Sequence, residues 1–480
     1  MSHYVLPSHW TWRTPADLAA PDRYALAIGP FGSNLKVIDY RPSGTPVIFV
    51  RNIRTGDFDG PTAQFVSPLK ATELAAHRVD PGDLLVTKMG DPPGDACIYP
   101  AHRPPGIITA DCIKFRVAAG SASVKYLAYA IASPAVRSQI LERTKGVAQQ
   151  KISLETFRTL RLPVAPREEQ DKIVAEIDKQ FTRLDAGVEA LKRLQAHLGR
   201  YRAAVLKAAC EGRLVPTEAT LAKRDNRPYE PASALIREAA ARRRHHWEED
   251  LGKASYFEPA HLEEQPGPLP EGWAWATFEQ MAGRITVGHV GPMKEEYIES
   301  GIPFLRSQNV RENRFERDGL LFVSPDFHAK LRKSVLHPGD IAIVRSGSVG
   351  TACVVPESVG EANCSDLVIV QRPLGLIPEF GAFYMNSLAR ARIRAGQVGI
   401  ALTHFNTKSV AALPVPVPPL AEQRRIVAEV EARFSILKAL ELAVEASFTR
   451  ASRLRSAILR SAFEGRLFGA GPPRASSLGA

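Results

Sequence analysis

Apolar residues recur at steps of three and four over two long stretches of the chain. In the first they fall at Ile177, Phe181, Leu184, Val188, Leu191, Leu194, Leu198, Tyr201 and Val205. In the second they fall at Val430, Phe434, Leu437, Val444, Phe448, Ala451, Leu454 and Ile458. Sustained this far, the spacing predicts two helices, each with a seam for another helix. The first is expected from about Glu168 to Cys210, about 64 Å long at 1.5 Å per residue, with Gly212 placed to end it. Gly187 and Gly199 weaken it locally. Neither helix readily bears so long a stripe in water, so the two are expected to bury their seams against each other. Elsewhere the pattern is short. Val47-Ile48-Phe49-Val50 and Leu84-Leu85-Val86, set between Gly, Pro and Asp turns, predict strands. Tyr126 to Leu141 reads as helix with an interruption at Pro134, and Leu162-Pro163-Val164-Ala165-Pro166 as a stiff extended lead-in.

The two helical stretches are copies. Glu169 to Leu214 aligns without a gap onto Glu422 to Leu467 at a constant offset of 253, and nineteen of the 46 paired positions are identical. Glu169-Gln170 pairs with Glu422-Gln423, and Glu211-Gly212-Arg213-Leu214 with Glu464-Gly465-Arg466-Leu467. The repeat extends upstream with small shifts. Ser43-Gly44-Thr45-Pro46 matches Ser300-Gly301-Ile302-Pro303, Pro81-Gly82-Asp83 matches Pro338-Gly339-Asp340, and Ala96-Cys97 matches Ala352-Cys353. Leu6-Pro7 with Trp10 and Trp12 matches Leu269-Pro270 with Trp273 and Trp275. A period this long is a whole domain-plus-helix unit used twice. Between the shared landmarks the copies diverge strongly.

The predicted organisation is therefore a mixed α/β (α+β) globular domain at 1–165 and a long helix at 166–214. A linker with a charged helix from Ala232 to Asp250 follows at 215–265, and its Arg242-Arg243-Arg244 run is taken as a solvated face. A second globular domain occupies 266–418, a second long helix 419–467 and a flexible tail 468–480. If the copies are related by a pseudo-two-fold axis, the helices pack antiparallel, coiled-coil-like, and hold the globular domains at opposite ends.

A chain of 480 residues suits two to four domains. Its net charge of +11 favours a polyanionic partner. Five cysteines without a CxxC pair argue against a disulfide framework or a zinc site. Cys97 and Cys353, in equivalent apolar contexts, read as buried free thiols. With no apolar run approaching a membrane span and no signal-peptide pattern, a cytoplasmic protein is expected. Catalytic signals are lacking. Asp91-Pro92-Pro93-Gly94 shares three residues with the Asp-Pro-Pro-Tyr motif of amino-methyltransferases but lacks its aromatic and any glycine-rich cofactor loop. There is no GxxxxGK[ST] phosphate loop. Asp83 and Asp340, each after Pro-Gly and before a strand, read as turn residues rather than nuclease carboxylates. The histidines, including His245-His246, show no metal-ligand arrangement.

The combination resembles the specificity (S) subunit of Type I restriction–modification systems, over essentially the whole chain. The residues that carry the resemblance are Gly29-Pro30-Phe31-Gly32-Ser33-Asn34-Leu35-Lys36 and Gly301-Ile302-Pro303-Phe304-Leu305-Arg306-Ser307-Gln308-Asn309-Val310. To these are added the proline-to-Glu-Gln lead-ins ending at Gln170 and Gln423 and the two Glu-Gly-Arg-Leu exits. The resemblance implies two target-recognition domains, each reading one half of a split DNA site. It also implies paired helices that act as spacer and docking surface for methyltransferase subunits, expected to number two. No cofactor is implied on this chain. S-adenosylmethionine belongs to the methyltransferase subunits, and ATP and Mg to a restriction subunit where one is present.

Reading bases asks for Arg and Lys on guanine, Asn and Gln on adenine, and cations on phosphate. The first domain offers Lys36, Arg51, Asn52, Arg54, Lys88, Gln149, Gln150 and Lys151. The second offers Arg306, Gln308, Asn309, Arg311, Arg345, His404, Asn406 and Lys408. Arg51/Gln308 and Asn52/Asn309 sit in the repeated frame, so a role in holding the fold is equally open to them. For the seam and docking face the candidates are Phe181, Leu184, Leu191, Leu198, Phe434, Leu437, Val444 and Leu454. Two other readings stay open: a stand-alone metal-dependent nuclease, and an interaction scaffold that recruits partners without reading DNA.

Overall fold

Two helices of 44 residues each, Arg167–Cys210 and Leu420–Phe463, are the longest elements of the computed structural model. It describes residues 6–54, 56–58, 60, 64–90, 92–144, 150–251, 256–262, 264–394 and 405–468. The first helix runs unbroken through Gly187 and Gly199. Each helix stops in the same way. Gly212 and Gly465 take φ of +67° and +70°, a left-handed conformation that costs glycine nothing. The next residue then donates back into the last turn, Arg213 to the Ala208 carbonyl and Arg466 to the Ser461 carbonyl, each at 2.8 Å. A side chain at either glycine would also collide with a proline, Pro270 at 2.5 Å or Pro7 at 2.4 Å. The tail expected from residue 468 lies, beyond Phe468, outside the described residues.

The chain divides into two compact units, Met1–Lys192 with Val444–Ala480, and Arg193–Ala443. Each contains one globular domain and a stretch of both long helices. In the first unit Asp185 pairs with Arg455 at 2.6 Å, and the Arg455 guanidinium lies 4.3 Å from the Phe181 ring centre. Nearer the start of the first helix, Ile173 and Ile177 share a core with Leu459, Ala462 and Phe463, at the end of the second. In the second unit Arg202 bonds Glu441 at 3.2 Å and stacks 4.5 Å over Phe434, while Ala209 shares a core with Ile426 and Val430. Within each unit the two helical segments therefore run antiparallel.

Of the seam candidates, Phe181, Leu198, Leu437 and Val444 are buried, and Leu184, Leu191 and Phe434 are half-buried. Leu454, 49% exposed, lies outside the buried seam, which leaves it only the docking role. Its neighbour Arg455 takes the inward position, covering Phe181 and pairing with Asp185, and a step of one residue turns Leu454 about 100° away.

The two globular domains have the same topology. In the first, four antiparallel strands lie in the order Ala96–Ile98, Leu84–Thr87, Cys112–Phe115, Leu26–Ile28. In the second the order is Ala352–Val354, Ile341–Val344, Leu367–Pro373, Ala282–Val287. Each domain has another sheet in which one pair is parallel, Thr45–Ile48 with Gly106–Ile108 and Ile302–Leu305 with Asn363–Cys364. Two-stranded pairs close each domain, Thr11–Arg13 against Leu162–Val164 and Ala274–Thr277 against Pro414–Val417. The helix predicted across Pro134 is two, Val124–Ala132 and Pro134–Glu142, because proline can start a helix but not continue one.

The Glu-Gln pair that opens each long helix latches it to its domain. Gln170 accepts from the Ser123 N–H at 2.7 Å and donates to the Ala165 carbonyl at 2.8 Å. Gln423 accepts from the Ile377 N–H at 2.8 Å and donates to the Pro418 and Gly375 carbonyls. Both glutamines are buried. The preceding glutamates accept the indole N–H groups, Trp10 on Glu169 at 3.1 Å and Trp273 on Glu422 at 2.9 Å.

The charged linker helix spans Ala232–Leu251, and one expectation for it fails. Arg243 is buried, with hydrogen bonds to the Tyr256 hydroxyl at 3.0 Å and the Phe257 carbonyl at 2.8 Å and an ion pair to Glu279. Only Arg242 and Arg244 are solvated, each paired with a glutamate.

Candidate nucleic-acid interface

In the first domain a 3-10 turn, Val50–Asn52, leads into the strand Ile53–Arg54. Asn52 is buried and its Oδ1 accepts the Phe49 N–H at 3.0 Å, so it closes the turn. Arg51 and Arg54 are exposed, and the Arg51 guanidinium lies 4.3 Å from the Phe49 ring centre. The second domain repeats the turn at Ser307–Asn309. Asn309 is fully buried, accepting from the Arg306 N–H at 3.0 Å and donating to the Glu316 and Asp318 carbonyls. Asn52 and Asn309 are thus corrections to the candidate set. Their amides are occupied inside the fold, and exposing them would orphan buried backbone groups. Arg306 and Gln308 both donate to the Gly319 carbonyl at 3.0 Å from the domain's surface, and Arg311 is exposed.

A second cluster forms where distant segments meet. The strand Gln150–Lys151 pairs with Met89–Gly90, and the Ile152 N–H bonds the Lys88 carbonyl at 3.0 Å. This brings Lys88, Gln150 and Lys151 together. Lys88 donates to the Ala110 carbonyl at 3.1 Å, Lys151 is exposed, and the buried Gln150 Oε1 accepts no hydrogen bond among the described residues. Lys36 is exposed on a separate turn closed by Asp39. In the second domain Arg345, at the position of Lys88, pairs with Asp366 at 3.4 Å. Asn406 is exposed but its Oδ1 caps the helix Thr407–Ala411 through the Ser409 N–H, and Lys408 projects from that helix, exposed. Gln149 and His404 lie outside the described residues.

The two Pro-Gly-Asp carboxylates are structural. Asp83 accepts the Asp80 N–H at 2.8 Å and two hydrogen bonds from Arg116. Asp340 accepts the N–H groups of His337 and Arg372 at 2.9 Å each, and burial pushes its carboxyl above the usual range. Among the described residues no group of three or more His, Cys, Asp or Glu side chains could hold a metal ion. Cys97 and Cys353 are free and fully buried, and burial pushes each thiol up to about 12. Among the described helices none is long and apolar enough to cross a membrane.

The Type I restriction modification DNA specificity domain is the family whose sequence profile matches, over residues 288–445. The chain is similar at 23% identity over 452 residues to the Type I restriction enzyme EcoBI specificity subunit of Escherichia coli, covering 93% of this chain and 85% of that protein. Over these lengths this chain is similar to Type I specificity subunits. The EcoKI specificity subunit of E. coli K12 matches at 27% identity over 214 residues, 42% of this chain and 44% of that one. A chain solved in work on complex assembly and conformational transition of the type I R-M system shares the fold. Its TM-score is 0.63 at 18% identity, over 97% of this chain and 100% of that chain.

The chain thus carries two kinds of polar residue in equivalent places. One kind, Asn52, Asn309, Gln170 and Gln423, satisfies buried backbone groups and is identical in both copies. The other, exemplified by Arg51 opposite Gln308 and by Lys151 and Lys408, is exposed and differs between the copies or sits in diverged surroundings. In the sequence the two Glu-Gln pairs mark only the lead-in to each long helix. Their burial and their partners, far away along the chain, are visible only in three dimensions.

Proposed function

We propose that this chain is the non-catalytic sequence-reading subunit of a Type I restriction–modification complex. Each globular domain reads one half of a bipartite double-stranded DNA target, and the long helices dock two methyltransferase subunits. Those subunits bring S-adenosylmethionine and methylate adenine. A restriction subunit with ATP and Mg brings translocation and cleavage. One observation carries the reading: the two domains share topology, latches and turn-closing asparagines, while the exposed polar sets that the shared frame presents differ. A frame kept constant under a changing polar surface suits a protein that must read two different half-sites.

In the first domain the readers are Lys36, Arg51, Arg54, Lys88, Gln150 and Lys151. In the second they are Arg306, Gln308, Arg311, Arg345 and Lys408. The Gln150 side-chain amide has the paired acceptor and donor that adenine N6 and N7 require. The half-buried Arg345, held at 3.4 Å by an Asp366 side chain that is 47% exposed, is paired weakly enough to exchange onto guanine or phosphate. Leu194, Ile436, Leu440, Leu442 and Leu454, all more than 40% exposed on the long helices, support docking of a protein partner there.

The test is a single-site map of modified adenines in the host with and without this gene. Loss of one split motif on deletion supports the reading and reveals both half-sites. An unchanged map, with the partner genes expressed, overturns it and favours the scaffold. Cleavage of DNA by the purified chain with magnesium alone favours the stand-alone nuclease.

A further inference from the structure

The corner that follows the strand pair in each domain is built identically but charged oppositely. Ser67 and Ser324 each cap a short helix that starts with proline, Pro68–Glu73 and Pro325–Lys330, and each helix passes through a leucine into a 3-10 turn. In the first domain the corner reads Glu73-Leu74-Ala75-Ala76. In the second it reads Lys330-Leu331-Arg332-Lys333. At these matched positions the first domain has Glu73 with two alanines, its carboxylate paired with Lys70 of the same helix at 3.0 Å, while the second has three cations. The frame therefore does not need the cations.

They are also uncompensated. Arg314, Arg345 and Arg390 of the same domain have carboxylate partners, in Glu316, Asp366 and Glu312. Among the described residues Lys330, Arg332 and Lys333 have none, and all three are exposed. They line a groove of about 490 Å³ with Val290, which is 66% exposed. Arg332 also lines a neighbouring cavity of about 290 Å³, into which Arg284 brings another exposed and unpaired cation. The two hollows follow the strand Ala282–Val287 and the residues just beyond it, so Arg332 joins them into one basic track. From residue 284 to residue 289 that track is on the order of 17 Å long, about the axial rise of five phosphates on one strand.

We propose that this track grips the DNA sugar–phosphate backbone beside the half-site read by the second domain, with Val290 against the sugar edge. The first domain has no such grip at its equivalent corner, so the two domains contribute unequally to affinity while each still reads its own bases. This rests on the DNA-recognition reading above. It adds where the sequence-independent part of binding resides.

The experiment uses the full-length chain and a labelled short mixed-sequence duplex, with affinity measured across a range of KCl. Lys330→Gln, Arg332→Gln and Lys333→Gln together should make the slope of log affinity against log salt shallower by about 2.7, about 0.9 for each phosphate released. Binding to target and mixed duplexes should weaken by the same factor, because phosphate contacts carry no sequence information. The transplant Glu73→Lys, Ala75→Arg, Ala76→Lys in the first domain should steepen the slope. It also guards against an effect of misfolding, since it predicts a gain. A parent chain that binds DNA with a slope untouched by either set overturns this proposal alone. The same holds if the glutamine variant keeps its slope but no longer holds a methyltransferase subunit, which would make the track a protein-docking face. A parent chain with no affinity for any duplex overturns the recognition reading, and this proposal with it.

Discussion

The two latches share residues but differ in their water. In the first unit Glu169 takes the Trp10 indole N–H, lies 2.9 Å from His9 Nε2 and keeps its side chain 29% exposed. In the second unit the linker folds over the corresponding group. The Glu218 N–H, at the start of the short helix Glu218–Arg224, donates to Glu422 at 2.7 Å, and Glu422 is fully buried. Burial pushes the Glu422 carboxyl up, with the hydrogen bonds from Glu218 and Trp273 only partly opposing it. Glu218, a few ångströms along, goes the other way. Burial would raise it, but Arg425 and Arg227, each at 2.6 Å, outweigh burial and hold it low. One repeated sequence motif thus yields two electrostatic environments, and what differs is the chain packed on top of it.

The seam gives the largest way to break this comparison. Phe181→Ala should destabilise its unit by about 3–5 kcal/mol, as expected for a buried aromatic. Phe434→Ala, at a half-buried site under Arg202, should cost about half as much, since less apolar surface is lost. Denaturant unfolding measures both, and equal losses would mean the two seams are packed alike. The latch glutamines come next. Gln170→Ala and Gln423→Ala should each cost about 2 kcal/mol by orphaning buried backbone groups. A large loss at one and none at the other would show that only one latch bears load.

Asn52→Ala and Asn309→Ala should cost about 1 kcal/mol each, the usual worth of a capping side chain, and leave the modified motif unchanged. Gln150→Ala with Lys151→Ala should do the reverse. It should alter the first half-site in a methylation map and move stability by less than about 0.5 kcal/mol. Loss of both half-sites from that pair, with the protein folded, would contradict independent reading by the two domains. The smallest effect is pH-dependent. Because the folded-state carboxyl of Glu422 is raised above its usual 4.5, the stability it contributes is complete below pH 4.5 and is lost as pH rises through the folded value. Glu422→Gln should remove that decline, so unfolding midpoints of parent and variant should separate on going from acid toward neutral pH. Parallel curves would mean that Glu422 ionises as it would in water.

The long helices, their glycine stops, the break at Pro134 and the duplicated domain could all be read from spacing and repetition, because each depends on neighbours in sequence. Leu454 shows where that reading ends. The three-and-four rhythm admitted it to the seam, but Arg455 supplies both a ring-stacking cation and a partner for Asp185 and takes the inward place. Arg243 shows the opposite error. A run of three arginines reads as solvent-facing, yet the middle one finds a hydroxyl, a carbonyl and a carboxylate within the fold. For the candidate interface, residue chemistry nominated Asn52 and Lys151 on equal terms. Only burial separates the asparagine that closes a turn from the lysine that stays exposed.

By itself, then, the chain determined its repeat, its helix limits and its resemblance to specificity subunits, since local periodicity and recurring landmarks need no partner to be recognised. Tertiary structure alone decided which polar side chains are consumed by the fold and which remain available. Hydrogen-bond partners and water exclusion are set by segments far apart in sequence. It also made Glu422 a buried charge while the same motif at Glu169 stays wet, because the cost of desolvating a carboxylate depends on what lies over it and not on its neighbours along the chain.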